Sequence, residues 1–160
     1  MKSPRDIASD YLMNRIDWER SKSIPYAERT FRLDRMHRLL GLLDNPQDSL
    51  EVVHVAGTKG KGSTTAMLAA IFHAAGLKTG AFTSPHLDRI EERFAIDGQP
   101  CPGETFAELI DQIRPAVDIV DSEMPGDGPT YFEIATAIAL LYFAQSKVDV
   151  AVLEVGLGGR

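Results

Sequence analysis

The chain has 160 residues, 44% of them hydrophobic and 25% charged, the balance of an ordinary globular protein with the length of one domain. Seventeen Lys and Arg against 23 Asp and Glu give a net charge of −6, which argues against nonspecific nucleic-acid binding. Cys101 stands alone, so an internal disulfide is excluded, and no uncharged apolar stretch reaches the roughly 20 residues of a membrane span. Lys2, Arg5, Asp6 and Asp10 interrupt any leader-like apolar run, so the expectation is a cytoplasmic protein with no nucleic-acid or membrane partner.

In chain order, the spacing of Ile7, Tyr11, Leu12 and Ile16 predicts a helix over about 5–19, interrupted at Ser23-Ile24-Pro25-Tyr26. Leu33, Met36, Leu39, Leu40 and Leu43 predict a second over about 30–43, stopped by Asp44-Asn45-Pro46. Arg29, Arg32, Asp34, Arg35 and Arg38 read as its solvated face. Val52, Val53 and Val55 then predict a buried strand, with His54 as a satisfied core imidazole. The segment Gly57-Thr58-Lys59-Gly60-Lys61-Gly62-Ser63-Thr64 follows and opens an alanine-rich helix that runs to about Ala75. Glycines in such a turn let backbone N–H groups converge at a helix N-terminus, whose dipole favours an anion. Lys61 adds a cation, and Ser or Thr hydroxyls are available to Mg²⁺. The strict phosphate-loop pattern fails by one position, because Gly62 intervenes between Lys61 and Ser63. A tight turn without a ligand is therefore the competing reading.

Thr79 to Thr83 predicts a second strand, completing a βαβ unit of a parallel sheet with its ligand edge at the carboxyl ends of the strands. Ser84-Pro85-His86-Leu87 leaves from that edge, as a plain turn or as part of a site. Asp97-Gly98 predicts a hairpin excursion from the sheet. A helix follows from about Gly103 to Val120, which Pro115 should kink or split. The helix from about Thr130 to Gln145 is apolar nearly all round and should be buried. Its one acid, Glu133, can either satisfy the helix N-terminus or serve the nucleotide edge. Val148 to Val155 reads as a central parallel strand that delivers Glu154 to the ligand edge, where an acid can hold Mg²⁺. Cys101 reads as a small packed thiol, and the four histidines make no zinc pattern.

Four ordered segments together resemble the folylpolyglutamate synthase/dihydrofolate synthase family of Mur-ligase-like, ATP-dependent amide ligases. They are Val53 to Ser63, Thr83 to Leu87 with Glu92-Arg93, Thr130 to Thr136, and Leu153-Glu154-Val155-Gly156-Leu157-Gly158-Gly159-Arg160. The resemblance covers nearly all of residues 11–160 and includes the extra Gly62. It implies an α/β fold, a mostly parallel sheet flanked by helices. Residues 1–48 would be leading helices and 50–160 the core of an incomplete central ATPase domain, with the C-terminal ligase domain absent. A sheet ending at this strand should leave an open edge and exposed apolar surface. The implied chemistry is ATP-dependent addition of L-glutamate to a dihydropteroate or tetrahydrofolate carboxylate through an acyl phosphate, in a protein that is a monomer when complete. Residues Gly57, Thr58, Lys59, Gly60, Lys61, Gly62, Ser63 and Thr64 would bind ATP. Lys61 and Glu133 would be catalytic, and Ser84 and Glu154 would hold Mg²⁺. The loop bearing Pro85, His86 and Arg93 would line the pterin pocket. A P-loop kinase or other NTPase, and a non-catalytic nucleotide-binding module, are the alternatives.

Overall fold

The computed structural model describes residues 2–15 and 33–156. Helix α1 (Pro4–Met13) opens with a reciprocal cap: the Ser3 hydroxyl accepts from the Asp6 N–H, and the Asp6 carboxylate accepts from the Ser3 N–H. Ala8 and Leu12 form its buried side, whereas Ile7 is half exposed, against expectation. The helix ends at Met13, short of Glu19; Ile16 and the break at 23–26 lie outside the described residues. Helix α2 is described as Leu33–Gly41, with 30–32 and Arg29 outside the described residues. Its buried residues are Leu39, Leu40 and Arg35, while Leu33 is 75% exposed. Arg35 therefore does not belong to a solvated face.

Strand β1 (Val52–Val55), helix α3 (Lys61–Ala74), strand β2 (Thr79–Phe82), the hairpin β3 (Phe94–Ile96) and β4 (Gln99–Pro100), helices α4 (Gly103–Glu123) and α5 (Tyr131–Ser146), and strand β5 (Val150–Glu154) complete the order. The sheet runs β1-β5-β2-β3-β4. The first three strands are parallel, with Val55 level with Glu154 and Phe82 level with Leu153. That register brings the turns after β1, β2 and β5 to one edge. The hairpin does not leave the sheet: β3 pairs antiparallel with β2 and extends it. Asp97 and Gly98 at its tip both have positive φ, the requirement of a tight two-residue hairpin turn. Helix α4 stays one helix through Pro115, whose exposed position lets water satisfy the carbonyl that loses its partner.

Alternate residues of β5 serve two layers. Ala151 joins the core formed with α4 and α5, whereas Glu154 faces Gly62 at the start of α3. The core is aromatic at the sheet: Phe94 stacks on Phe82 at 5.9 Å and on Phe106 at 6.0 Å, and Phe82 meets Phe132 at 5.7 Å. The last contact seats the first turn of α5 beside the end of β2. Cys101 is fully buried, and burial pushes its thiol up to about 12, so it packs and does not ionise. Among the described residues no helix is long and apolar enough to cross a membrane.

The sheet is open at β1, which pairs only with β5 among the described residues. Val52 is 43% exposed and His54 is exposed, so neither the buried strand nor the core imidazole is found here. Met67 and Ile71 on α3 are also more than half exposed.

One close approach gives a stability prediction. A Cβ built on Gly80 would stand 2.8 Å from the Phe143 ring, closer than carbon contacts allow. Gly80→Ala should cost about 1–3 kcal/mol, read as a lower denaturant midpoint. Phe143→Leu in the same chain should return part of that loss; a Gly80→Ala midpoint equal to wild type would refute the contact.

Candidate phosphate and metal site

Gly60 caps α3 with φ of +76°, a conformation that favours glycine, and so starts the helix directly after the turn. The Thr64 N–H and hydroxyl both reach the Gly60 carbonyl at 2.9 Å, fixing the first turn. Lys61 folds back across the loop, its Nζ donating to the Gly57 carbonyl at 3.0 Å. Thr58, Lys59, Gly60, Ser63 and Thr64 are exposed. The arrangement is a glycine turn with a lysine over it and free-facing backbone at a helix N-terminus.

Glu154 ends β5 with 5% exposure. Its Oε2 accepts the Ser84 N–H at 3.1 Å. A Cβ on Gly62 would stand 3.6 and 3.8 Å from its two carboxylate oxygens. Three separated segments thus meet at one carboxylate: the turn after β1, the loop after β2 and the end of β5. Among the described residues no Lys, Arg or His pairs with Glu154, so a buried charge has no cation of its own. Such a charge calls for a counter-ion. The donor set is one carboxylate beside the backbone of Ser84 and Gly62, and Ser84 and the neighbouring Ser63 each carry a hydroxyl. No cluster of three or more His, Cys, Asp or Glu is present among the described residues. Hard oxygen donors in small number fit Mg²⁺ completed by phosphates and water, and they do not fit a zinc cage.

Glu133 lies elsewhere in the hydrogen-bond map. Its Oε2 accepts the Thr130 N–H at 2.8 Å, and its N–H donates to the Thr130 hydroxyl at 3.3 Å, a reciprocal cap of α5. Its Oε1 accepts from Nε of Arg35 at 3.3 Å, and Arg35 also pairs with Asp127. Arg35 is 4% exposed, so it ties α2 to the start of α5 from inside. Removing this buried cation takes away the guanidinium that bridges Glu133 and Asp127. Arg35→Met should cost about 3–5 kcal/mol of unfolding free energy, checked by urea denaturation. A loss under about 1 kcal/mol would place the pair among weak surface contacts.

The loop after β2 is built by its own charges. Pro85 is exposed and follows a cis peptide bond. Glu92 accepts the N–H groups of Leu87, Asp88 and Arg89, and these bonds hold its carboxyl below the ordinary range. His86 is half-buried and accepts at Nδ1 from Nε of Arg93 at 3.0 Å. Arg93 is 1% exposed, with its guanidinium 5.2 Å above the Tyr131 ring, so it supports His86 from within. An open-surface role for Arg93 against a substrate is not what the loop arranges. Chain-order reading also missed Arg5, whose Nε and Nη2 grip the fully buried Glu91 at 2.6 and 3.1 Å. Burial pushes the Glu91 carboxyl up, but Arg5 more than offsets this and leaves it below the ordinary range. No periodicity marks such a pair, because its members are 86 residues apart.

No protein-family model matches the chain. The dihydrofolate synthase/folylpolyglutamate synthase of Bacillus subtilis is 43% identical over 129 residues, covering 80% of this chain and 30% of that protein. The folylpolyglutamate synthase of Mycobacterium tuberculosis complexed with ADP superposes with a TM-score of 0.84 at 35% identity, covering 98% of this chain and 33% of that one. Over most of its length the chain is similar to the folylpolyglutamate synthase family, of whose members it covers only a part. A folylpolyglutamate synthase complex with AMPPCP and folate also superposes at 0.84 with 34% identity, covering 97% of this chain and 36% of that chain. The chain therefore spans about a third of the length of these relatives. The family match spans both the α/β sheet and the helices on its faces, and it agrees with the fold expected from the four ordered segments. The last of those segments is only partly seen, since 157–160 lie outside the described residues.

Proposed function

We propose that this chain supplies the phosphate-binding and metal-binding part of an ATP-dependent ligase that adds L-glutamate to a dihydropteroate or tetrahydrofolate carboxylate. The observation that carries the proposal is the meeting of Gly62, Ser84 and Glu154 at one buried carboxylate beside the glycine turn. The names of the relatives, and the AMPPCP, ADP and folate of the solved complexes, supply the reaction class and the substrates.

In this reading the N–H groups of residues 58–64 hold the β- and γ-phosphates, and Lys61 leaves the Gly57 carbonyl to meet them. A carboxylate attacks an anionic nucleotide only if charge is neutralised and the groups are aligned. Lys61 and the helix N-terminus do the neutralising. Glu154 and Ser84 would hold Mg²⁺, with Ser63 or Thr64 near the same phosphates, and the ion would offset phosphate charge. The Ser84 N–H bond to Glu154 supports pairing these two residues. Glu133 serves from the first turn of α5, which Phe132 seats beside the end of β2. Pro85 and His86 line the pterin side, with Arg93 behind His86. The attacking carboxylate takes the γ-phosphoryl group and ADP leaves; the glutamate amine then displaces phosphate from the acyl carbon to form the amide.

The test measures ADP release by the chain carried in a protein with the remaining length of a relative. Over repeated turnovers, beyond one equivalent per site, ADP should form only with ATP, a pteroate or folate acceptor and L-glutamate together. Equal release without any acceptor would contradict the ligase reading in favour of an NTPase, and a phosphorylated product that accumulates over many turnovers without glutamate would favour a kinase.

A further inference from the structure

We infer that Arg5, on the N-terminal helix, is a positioning residue for the metal side of the site, acting through the turn Ile90–Arg93. The inference rests on the phosphate and metal reading above. Ser84 begins a loop that closes where the Thr83 N–H donates to the Arg93 carbonyl at 3.2 Å. Three consecutive charged residues organise that loop. Glu92 clamps its tip through the N–H groups of Leu87, Asp88 and Arg89 at 2.8, 3.2 and 2.9 Å. Arg93 crosses its interior to His86 Nδ1. A guanidinium carries no acceptor, so this bond requires the neutral imidazole with its proton on Nε2.

The third residue, Glu91, points the other way and is fully buried against Arg5. Two parallel bonds from one guanidinium fix the rotation of a carboxylate as well as its position. Arg5 thereby sets the turn that carries Glu92 and Arg93, and these set the loop whose first residue is bonded to Glu154. Arg5 packs its stem close over Gly103, where a Cβ would stand 3.1 Å from Arg5 Cγ. None of the three phosphate-site segments contains Arg5, and none of its bonds reaches them directly.

The test compares AMPPCP affinity in Mg²⁺ and in EDTA, by calorimetry, for wild type and Arg5→Lys, with circular dichroism to confirm folding. Lysine keeps the charge and loses the planar fork. Wild type should bind more tightly with Mg²⁺. Arg5→Lys should match wild type in EDTA within about twofold and lose about 10-fold or more of the Mg²⁺ gain, the usual effect of disturbing groups that orient metal ligands. A variant that keeps the whole Mg²⁺ gain overturns the inference. If Arg5→Lys does not fold, Arg5→Met with Glu91→Met removes both charges together and is read by the same comparison.

A second readout is independent of nucleotide. Long-range ¹H–¹⁵N spectra of His86 should show the Nε2–H tautomer in wild type, and both Arg93→Lys and Arg5→Lys should weaken that preference. An Nδ1–H tautomer in wild type overturns the latch. Wild type with no Mg²⁺ gain would sink the metal reading instead, and the His86 spectra then decide alone whether the latch exists.

Discussion

Lys61→Ala is expected to weaken Mg²⁺·AMPPCP binding by about 10- to 100-fold without lowering the denaturant midpoint. Among the described residues the lysine makes one hydrogen bond, to the Gly57 carbonyl, at a half-buried position on the loop. Losing that bond costs the fold little, because the carbonyl lies where water can replace the ammonium. Losing it from a bound phosphate costs a charged hydrogen bond, about 1.5–3 kcal/mol, or roughly one to two decades of affinity. In a protein carrying the remaining length of a relative, the rate of ADP formation should fall further than affinity does. In a loose transition state negative charge shifts toward the leaving ADP oxygen, and a lysine between the β- and γ-phosphates can meet it. Calorimetry with equal affinities for the two proteins would remove Lys61 from the phosphates.

Glu154→Gln should move two measurements in opposite directions. The amide keeps the shape and can still accept the Ser84 N–H, but it carries no charge. AMPPCP affinity in Mg²⁺ should fall by about 10- to 100-fold, the scale on which metal sites respond to changes around the ion. In EDTA the variant should bind AMPPCP at least as tightly as wild type, because a buried carboxylate no longer faces the phosphates. Stability should rise or hold, since the 5% exposed carboxylate has no cation partner among the described residues. A variant that loses affinity equally with and without Mg²⁺ would mean that Glu154 shapes the loop and does not serve a metal.

The legible part of this protein is the part that local chemistry fixes. A β-branched run followed by glycines, a lysine and hydroxyls can be read as strand, turn and helix because each step has a local cause. Asp97-Gly98 reads as a hairpin for the same reason, and the structure places both residues at positive φ. The run ending in Glu154 reads as a central strand, and β5 lies between β1 and β2. What failed depended on neighbours that are distant in sequence. His54 and Val52 look like core from their place in an apolar run, yet among the described residues β1 is the open edge of the sheet. Arg35 looks like a surface charge beside Arg38, yet Asp127 and Glu133 draw it inside. Glu133 allowed two readings, and its bonds in the structure are those of a helix cap paired to Arg35. The three charges Glu91, Glu92 and Arg93 are adjacent in sequence, yet they serve three different partners, which only the folded loop reveals.

The most direct measurement is the anomalous difference density of Mn²⁺ in crystals of the chain grown with Mn²⁺·AMPPCP. One metal peak should appear bonded to a Glu154 oxygen and to the Ser84 hydroxyl, at the roughly 2.0–2.2 Å typical of oxygen ligands on small divalent cations. The β- and γ-phosphates should lie on the N–H groups of residues 58–64. Nucleotide bound with its metal away from Glu154 would contradict the central claim that the turn, the loop and the strand end form one phosphate and metal site.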